Sequence, residues 1–308
     1  MHYYQIGDLL VRSAIGLTSA DAVPTSPGTA DVEILLDDTD WALLEAAPVG
    51  PVAGSTPQDF RFRAMPGLAF RMVAGRRIEV SRGPQVADPD LLLYLTGSAW
   101  GVLCYQRGWL PLHCSAVAAG PIRAVAFTGP SGAGKSTLTA GLVQRGWPQL
   151  CDDTCVIDPR DPRYIVCGAP KDMKLWRDAL DALGLAAGRA IGDRLQRDKY
   201  YVTPPAGSVP APAACGLDIV YLLGWSDDDS TSIRPIQGAQ AVIELYRALY
   251  RPEWLQLLRD PASLFQEIGG IAQRVRLFRF ERPRDFTQFG TALTLLEDHM
   301  RQQVGTQP

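Results

Sequence analysis

The 308-residue chain contains no asparagine and only four lysines, Lys135, Lys171, Lys174 and Lys199. The missing asparagine excludes two nucleotide-using classes. A guanine-reading N-K-x-D loop needs it, and so does the catalytic loop of a eukaryotic-type protein kinase, whose H-R-D triplet is also absent. The L-S-G-G-Q signature of an ABC-type ATPase does not occur either. With a formal net charge of −3, the chain has no basic surplus with which to neutralise nucleic-acid phosphates, so no nucleic-acid partner is expected. No apolar run approaches the roughly 18 residues of a membrane span. The Met1-His2-Tyr3-Tyr4 start has no basic-then-apolar pattern, so the expectation is a cytoplasmic protein without a membrane partner.

Lysine is scarce against 26 arginines. Codon bias is the plain cause, but the survivors stand out, because a compact ammonium and a planar fork are not interchangeable at a tight phosphate site. Cysteine is sparse as well: Cys104, Cys114, Cys151, Cys155, Cys167 and Cys215. Cys151 and Cys155 have a spacing that some zinc sites use. No second Cys/His pair follows them at finger spacing, so all six read as small buried hydrophobes.

Apolar residues make up 46%, enough for a packed core. Residues 1–86 read as a small β-rich N-terminal domain, with strand patterns such as Asp31–Leu36, Phe60–Arg63, Phe70–Val73 and Arg77–Val80 between Pro/Gly-rich loops at 21–30 and 47–57. Residues 87–308 read as the second domain. A helical face runs from Asp88 to about Gln106. Strands follow at about Leu112–Ala118 and Ile122–Thr128, close enough to form a hairpin across Ala119-Gly120-Pro121. Residues 171–186 read as helix, about 217–224 as strand, and the chain beyond Gly238 as mostly helical around a strand at Val275–Phe280. The fold class is therefore α/β. Asp227-Asp228-Asp229-Ser230 is a solvated turn.

Gly129-Pro130-Ser131-Gly132-Ala133-Gly134-Lys135-Ser136 fits G-x-x-x-x-G-K-[ST] without mismatch, and Thr137 follows it into a helix. The preceding Arg123–Thr128 is a strand, and Gly146 suits the helix C-cap. This strand–loop–helix context raises a moderately specific motif to a strong one. Such a loop points backbone N–H groups at phosphate oxygens, and the helix N-terminus adds partial positive charge. Lys135 is expected to reach the β- and γ-phosphates and Ser136 to ligate Mg²⁺, so ATP and Mg²⁺ are the expected substrate and metal.

Asp152 and Asp153 follow the short strand pattern Gln149-Leu150-Cys151. Adjacent side chains on a strand point apart, so both carboxylates can serve one site only where the strand is ending. One can hold Mg²⁺ and the other can accept the proton of an attacking hydroxyl. His113 is expected to pair near Ala126–Phe127, beside the loop mouth. Lys174 and Lys199 are the candidates for a second cation on the γ-phosphate, Lys174 rising from an amphipathic helix and Lys199 preceding a Pro-rich loop.

These residues resemble the HPr kinase/phosphorylase family: an upstream histidine (His113), a loop of the form G-x-S-G-x-G-K-S, a helix ending in Arg145-Gly146, and the paired Asp152-Asp153. Leu110–Val117 and Met173–Leu180 look like the shorter relatives that act as tailoring kinases in lasso-peptide clusters. The resemblance covers about 88–300 and is strongest at 107–185. It implies a P-loop kinase core akin to phosphoenolpyruvate carboxykinase, with a mixed sheet and a helical C-terminal part. It also implies Asp152 as the base and Asp153 as a metal ligand, with transfer to a serine-type hydroxyl on a ribosomal peptide or small protein. The family's acidic N-terminal domain and its downstream glycine-rich signature are not found, which puts HPr itself and phosphorylase activity in doubt. The family is often hexameric, and no interface signature decides whether this chain forms a homo-oligomer. A small-molecule kinase and a nucleotide-gated module with weak ATPase activity are the alternatives. Lys135→Ala is expected to abolish nucleotide turnover, and a variant with unchanged turnover would sink the P-loop assignment.

Overall fold

A computed structural model describes residues 1–17, 23–37, 48–161, 163, 165–167, 172–191, 198–203, 208–212 and 214–305. The chain is mixed α/β and divides into two compact units. One draws on Met1–Pro111, Ile191 and Tyr250–Leu264, and the other on Leu112–Ala190, Asp198–Leu249 and Phe265 onward. Among the described residues no helix is long and apolar enough to cross a membrane.

The first unit is built on an eight-stranded sheet in the order β3-β1-β2-β4-β8-β7-β6-β5. Its strands are β1 His2–Ile6, β2 Leu9–Ser13, β3 Val23–Pro24, β4 Val32–Asp37, β5 Gly50–Pro51, β6 Asp59–Met65, β7 Leu68–Val73 and β8 Arg77–Arg82. Alternation drives the pleat: in β4, Val32 and Ile34 are buried while Glu33 and Leu35 are half-buried. Phe60, Phe62, Phe70 and Met72 fill the core, with the Phe62 and Phe70 rings 5.2 Å apart. The helical stretch expected from Asp88 is present as α1 (Asp88–Tyr94), a π turn at Leu95–Ala99, and α2 (Trp100–Gln106).

Strand β9 (Leu110–Leu112) leads to the second unit, whose central sheet is mixed. Its strands β10 (Cys114–Ala118) and β11 (Arg123–Thr128) form the antiparallel hairpin read from the sequence. His113 falls just before β10 rather than opposite Ala126–Phe127, because the register sets Cys114 against Thr128 and Ser115 against Phe127. Helix α3 (Lys135–Gln144) follows, then β12 (Gln149–Cys151), β13 (Cys155–Ile157) and β14 (Ile165–Cys167).

The helix expected over 171–186 is corrected. Lys171 lies outside the described residues, Met173–Trp176 is strand β15, and only Arg177–Leu183 is helical, as α4. The local pattern explains this: Met173 and Leu175 are buried, while Lys174 is half-buried and Trp176 exposed, a period of two. Strand β15 pairs antiparallel with β16 (Lys199–Val202). Of the elements that follow, the longer ones are β17 (Ala214–Trp225), β18 (Ser232–Ile236), α5 (Gly238–Ala248), α6 (Pro261–Arg274), β19 (Arg276–Arg282) and α7 (Phe289–Gly305).

Strands β11, β17 and β19 run parallel side by side. Such strands are buried on both faces and read as continuous apolar runs, as Ala124–Phe127 does. Phe127, Tyr221 and Phe278 stack across them at 5.9 and 5.6 Å between ring centroids. Leu138 and Leu142 of α3 and Leu293, Leu296 and Met300 of α7 close over that face. Full burial of each such side chain contributes about 1.5–3 kcal/mol.

Gly141 lets α3 and α7 approach: a Cβ there would lie 2.9 Å from Leu293 Cδ2 and 3.0 Å from Phe289 Cε1. Gly141→Val is therefore expected to lower stability by about 1–3 kcal/mol through overpacking, outweighing the gain in helix propensity. Denaturant unfolding measures this, and a stabilised variant would contradict the α3–α7 contact.

Candidate functional site

The parallel strands deliver their carboxyl ends to one edge of the sheet, where open α/β sheets place ligand sites. The loop 129–136 leaves β11 there and enters α3. Gly129, Gly132 and Gly134 all have positive φ, at 147°, 81° and 81°. Pro130 and Ser131 are exposed, Ala133 is buried, and Ser136 and Thr137 are half-buried. No side chain caps α3 at Gly134, so its first-turn N–H groups carry no capping bond and suit an anion. Lys135, 8% exposed, turns its ammonium back onto the carbonyls of Gly129 (2.9 Å) and Pro130 (3.3 Å). Burial holds its pKa below the ordinary lysine value, while Asp153 and Asp152 pull it up.

Asp152 is 1% exposed and fully engaged. Its Oδ1 accepts from Ser136 Oγ at 2.8 Å and from Ser115 Oγ of β10, and its Oδ2 accepts from the Lys174 backbone N–H at 3.0 Å. Ser136 and Asp152 thus put two hard oxygen ligands side by side at the start of α3, a donor set that fits Mg²⁺.

Asp153 sits differently. Strand β12 ends at Cys151, and Asp153 takes φ 72°, a left-handed conformation that non-glycine residues adopt at a cost. That twist breaks the strand alternation at the pair. The Lys174 ammonium reaches Asp153 Oδ2 at 2.9 Å, and His113 Nε2 lies 3.8 Å from Oδ1. Burial alone would raise the Asp153 pKa, but Lys174 and then His113 outweigh it and hold the carboxyl well below the ordinary range. His113 is held below its ordinary value by partial burial, against the pull of Asp153. Thr128 Oγ1 donates to the His113 carbonyl at 3.0 Å and fixes its backbone beside the loop.

The structure brings His113, Lys135, Ser136, Asp152, Asp153 and Lys174 together. Lys174 projects from strand β15, not from a helix, and that is what lets its backbone and its ammonium meet the two aspartates separately. Lys199 stands opposite Trp176 on β16, its ammonium 5.6 Å from that ring. Its charge is felt at Asp153, His113 and Lys135. The Pro-rich loop after it, 204–207, lies outside the described residues.

Two participants are not evident from local sequence. Ser115 is two residues past the histidine and carries no motif of its own. Arg282, at the end of β19, is 2% exposed, donates from Nη2 to the Ala133 carbonyl at 2.8 Å, and packs 4.5 Å from the centre of the Trp225 ring. Its Nη1 has no hydrogen-bond partner among the described residues, and burial pulls its pKa down to about 10. The C=O and N–H of one trans peptide point opposite ways. Holding the Ala133 carbonyl against Arg282 therefore turns the Gly134 N–H away from Arg282. Glycine suits 134 by its φ of 81°, and a Cβ there, 2.6 Å from Arg282 Nη2, would push the guanidinium off the Ala133 carbonyl.

Arg282→Ala is expected to weaken nucleotide binding at the loop by about tenfold or more, because the loop's donors are then no longer held in place before a ligand arrives. Arg282→Lys should fall in between, with far-UV circular dichroism unchanged in both. Calorimetric titration checks this, and an unchanged ATP affinity in the alanine variant would rule out the loop-bracing role.

No protein-family model matches the chain, and no curated protein matches it. Among solved structures, the Hpr(Ser) kinase/phosphatase from Coxiella burnetii is similar over 63% of this chain and 93% of that one, at 13% sequence identity and a TM-score of 0.32. A likeness of that size says nothing about activity.

Proposed function

We propose that the chain is an ATP-dependent kinase that moves the γ-phosphoryl group to a serine-type hydroxyl on a ribosomally made peptide, of the lasso-precursor kind, or on a small protein. The observation that carries this reading is the division between two adjacent carboxylates. Asp152 is buried and bound to the P-loop serine. Asp153 keeps 28% of its side chain exposed, held ionised by a lysine, where a second molecule can meet it.

The roles follow from that division. The uncapped amides of α3 and Lys135 bind and orient the triphosphate. Ser136 and Asp152 would hold Mg²⁺, whose charge, when the ion is bound, offsets that of the phosphates. Asp153 accepts the proton of the acceptor hydroxyl as its oxygen bonds to the γ-phosphorus and the bond to the β-phosphate oxygen breaks, releasing ADP. Lys174 keeps Asp153 ionised and oriented. His113 borders the acceptor side. This assignment is the reverse of the one the family resemblance implies, and it rests on which aspartate touches Ser136. The peptide or protein acceptor rests on the similarity of Leu110–Val117 and Met173–Leu180 to peptide-tailoring kinases.

Asp153→Asn is expected to lower phosphoryl transfer by about 10²–10⁴-fold with ATP affinity retained. Asp152→Asn should instead raise the Mg²⁺ concentration needed for ATP binding. Labelled γ-phosphate from ATP, followed onto serine-containing peptides by mass spectrometry, measures the first, and Mg²⁺-dependent ATP titration the second. Wild-type transfer by Asp153→Asn would remove it as the base, and phosphate release with no labelled acceptor would favour a nucleotide-gated module.

A further inference from the structure

Behind the aspartate turn, three cysteines converge. Cys114 opens β10, Cys151 ends β12 and Cys155 opens β13. Their sulfur atoms lie within 4.8 Å of one another, and the residues are 0%, 3% and 1% exposed. The spacing of Cys151 and Cys155 alone carries no signal, because the third sulfur comes from across the sheet: β10 and β12 pair with Ala116 opposite Cys151. Cys104 and Cys215, also buried, are not part of the cluster, and the side chain of Cys167 lies outside the described residues.

The chemistry of this donor set is narrow. Hard cations such as Mg²⁺ and Ca²⁺ take oxygen ligands, whereas three sulfurs in a dry core suit a soft, thiophilic ion. Structural zinc sites close with four ligands. Among the described residues no histidine, carboxylate or further cysteine joins these three within that radius. A three-sulfur set matches an ion stable in three-coordination.

We propose that Cys114, Cys151 and Cys155 form a binding site for one thiophilic d¹⁰ cation per chain, Cu⁺ in preference to Zn²⁺. On binding, the three S–H bonds are exchanged for three metal–sulfur bonds and three protons leave to solvent, with no change of oxidation state. The ion would sit one residue behind both His113 and Asp152, whose neighbours in sequence are Cys114 and Cys151. The site is independent of the kinase reading, since none of its three donors is a residue assigned to the triphosphate, Mg²⁺ or the acceptor.

The test uses the full-length, reduced protein under anaerobic conditions, titrated with Cu⁺ and separately with Zn²⁺ against a competing chelator, and read by native mass spectrometry. One Cu⁺ per chain is expected. Its affinity should fall about tenfold or more in Cys155→Ala and in Cys151→Ala, and should not change in Cys104→Ala or Cys215→Ala. No retention of either ion by the folded wild type, or undiminished uptake by Cys155→Ala, would overturn the site. Tighter binding of Zn²⁺ than Cu⁺ would overturn the three-coordinate assignment. If the cluster variants fail to fold, thiol labelling of the wild type during a brief denaturant pulse decides the matter. Bound Cu⁺ should protect Cys114, Cys151 and Cys155 from alkylation, and protection of other cysteines instead would refute the proposal.

Discussion

The carboxylate of Asp152 ties four segments of the second unit together. Through Ser115 it holds β10, through Ser136 the start of α3, through the Lys174 amide it holds β15, and it sits itself at the end of β12. All three of its donors are neutral. A buried carboxylate without them would carry a penalty of several kcal/mol, so the four segments must meet for the charge to be tolerated at all. The positions of Ser136, His113 and Lys174 relative to one another follow from this requirement. Asp153, ion-paired with Lys174 at 2.9 Å, still keeps part of its side chain exposed, and the left-handed twist there lets one turn carry a buried carboxylate and a reachable one.

The second constraint lies on the other side of the P-loop. Arg282 is a buried guanidinium whose hydrogen bond is to a carbonyl and whose closest rings are Trp225 and Phe280. Burying such a charge is costly, and stacking on aromatic faces recovers only about 0.5–2 kcal/mol of it. What the arrangement secures is orientation. The Ala133–Gly134 peptide is fixed from behind, so the loop's donors are set before a ligand arrives. Preorganised dipoles of this kind avoid reorganisation when charge develops, the largest single term in many transferase sites.

Several of these features could be read from the chain directly, and the reason is locality. The P-loop is eight consecutive residues whose chemistry forces their spacing. The hairpin of β10 and β11 is betrayed by a four-residue link, and the aspartate pair by its place after a strand too short to continue. What could not be read depends on pairing between distant segments. Arg282 reaches Ala133 only because β19 lies beside β17, which lies beside β11. Cys114 reaches Cys151 and Cys155 only through the β10–β12 pairing. Segment 173–183 misleads for a different reason. Leu175, Leu180 and Leu183 are compatible with one helical face, while Met173 and Leu175 alternate as in a strand, and a window of four residues cannot separate the two periods. Pairing with β16 decides it.

The scarcity of lysine acquires a physical meaning at two of its four positions. Lys135 folds its ammonium onto two backbone carbonyls of its own loop, a pocket shaped for a compact point charge with donors in several directions. Lys174 occupies a strand position whose amide already belongs to Asp152, so its side chain must reach Asp153 from a fixed backbone, and its ammonium does so at 2.9 Å with only 15% of the side chain exposed. An arginine at 135 would bring a planar fork with five donors to a place where the ammonium now meets two backbone carbonyls, leaving buried N–H groups unpaired. Whatever drives the chain toward arginine elsewhere, position 135 resists it on geometry. The same geometry explains why Arg282 is an arginine: a flat guanidinium can lie against Trp225 while one edge reaches a carbonyl, and an ammonium could do only one of the two.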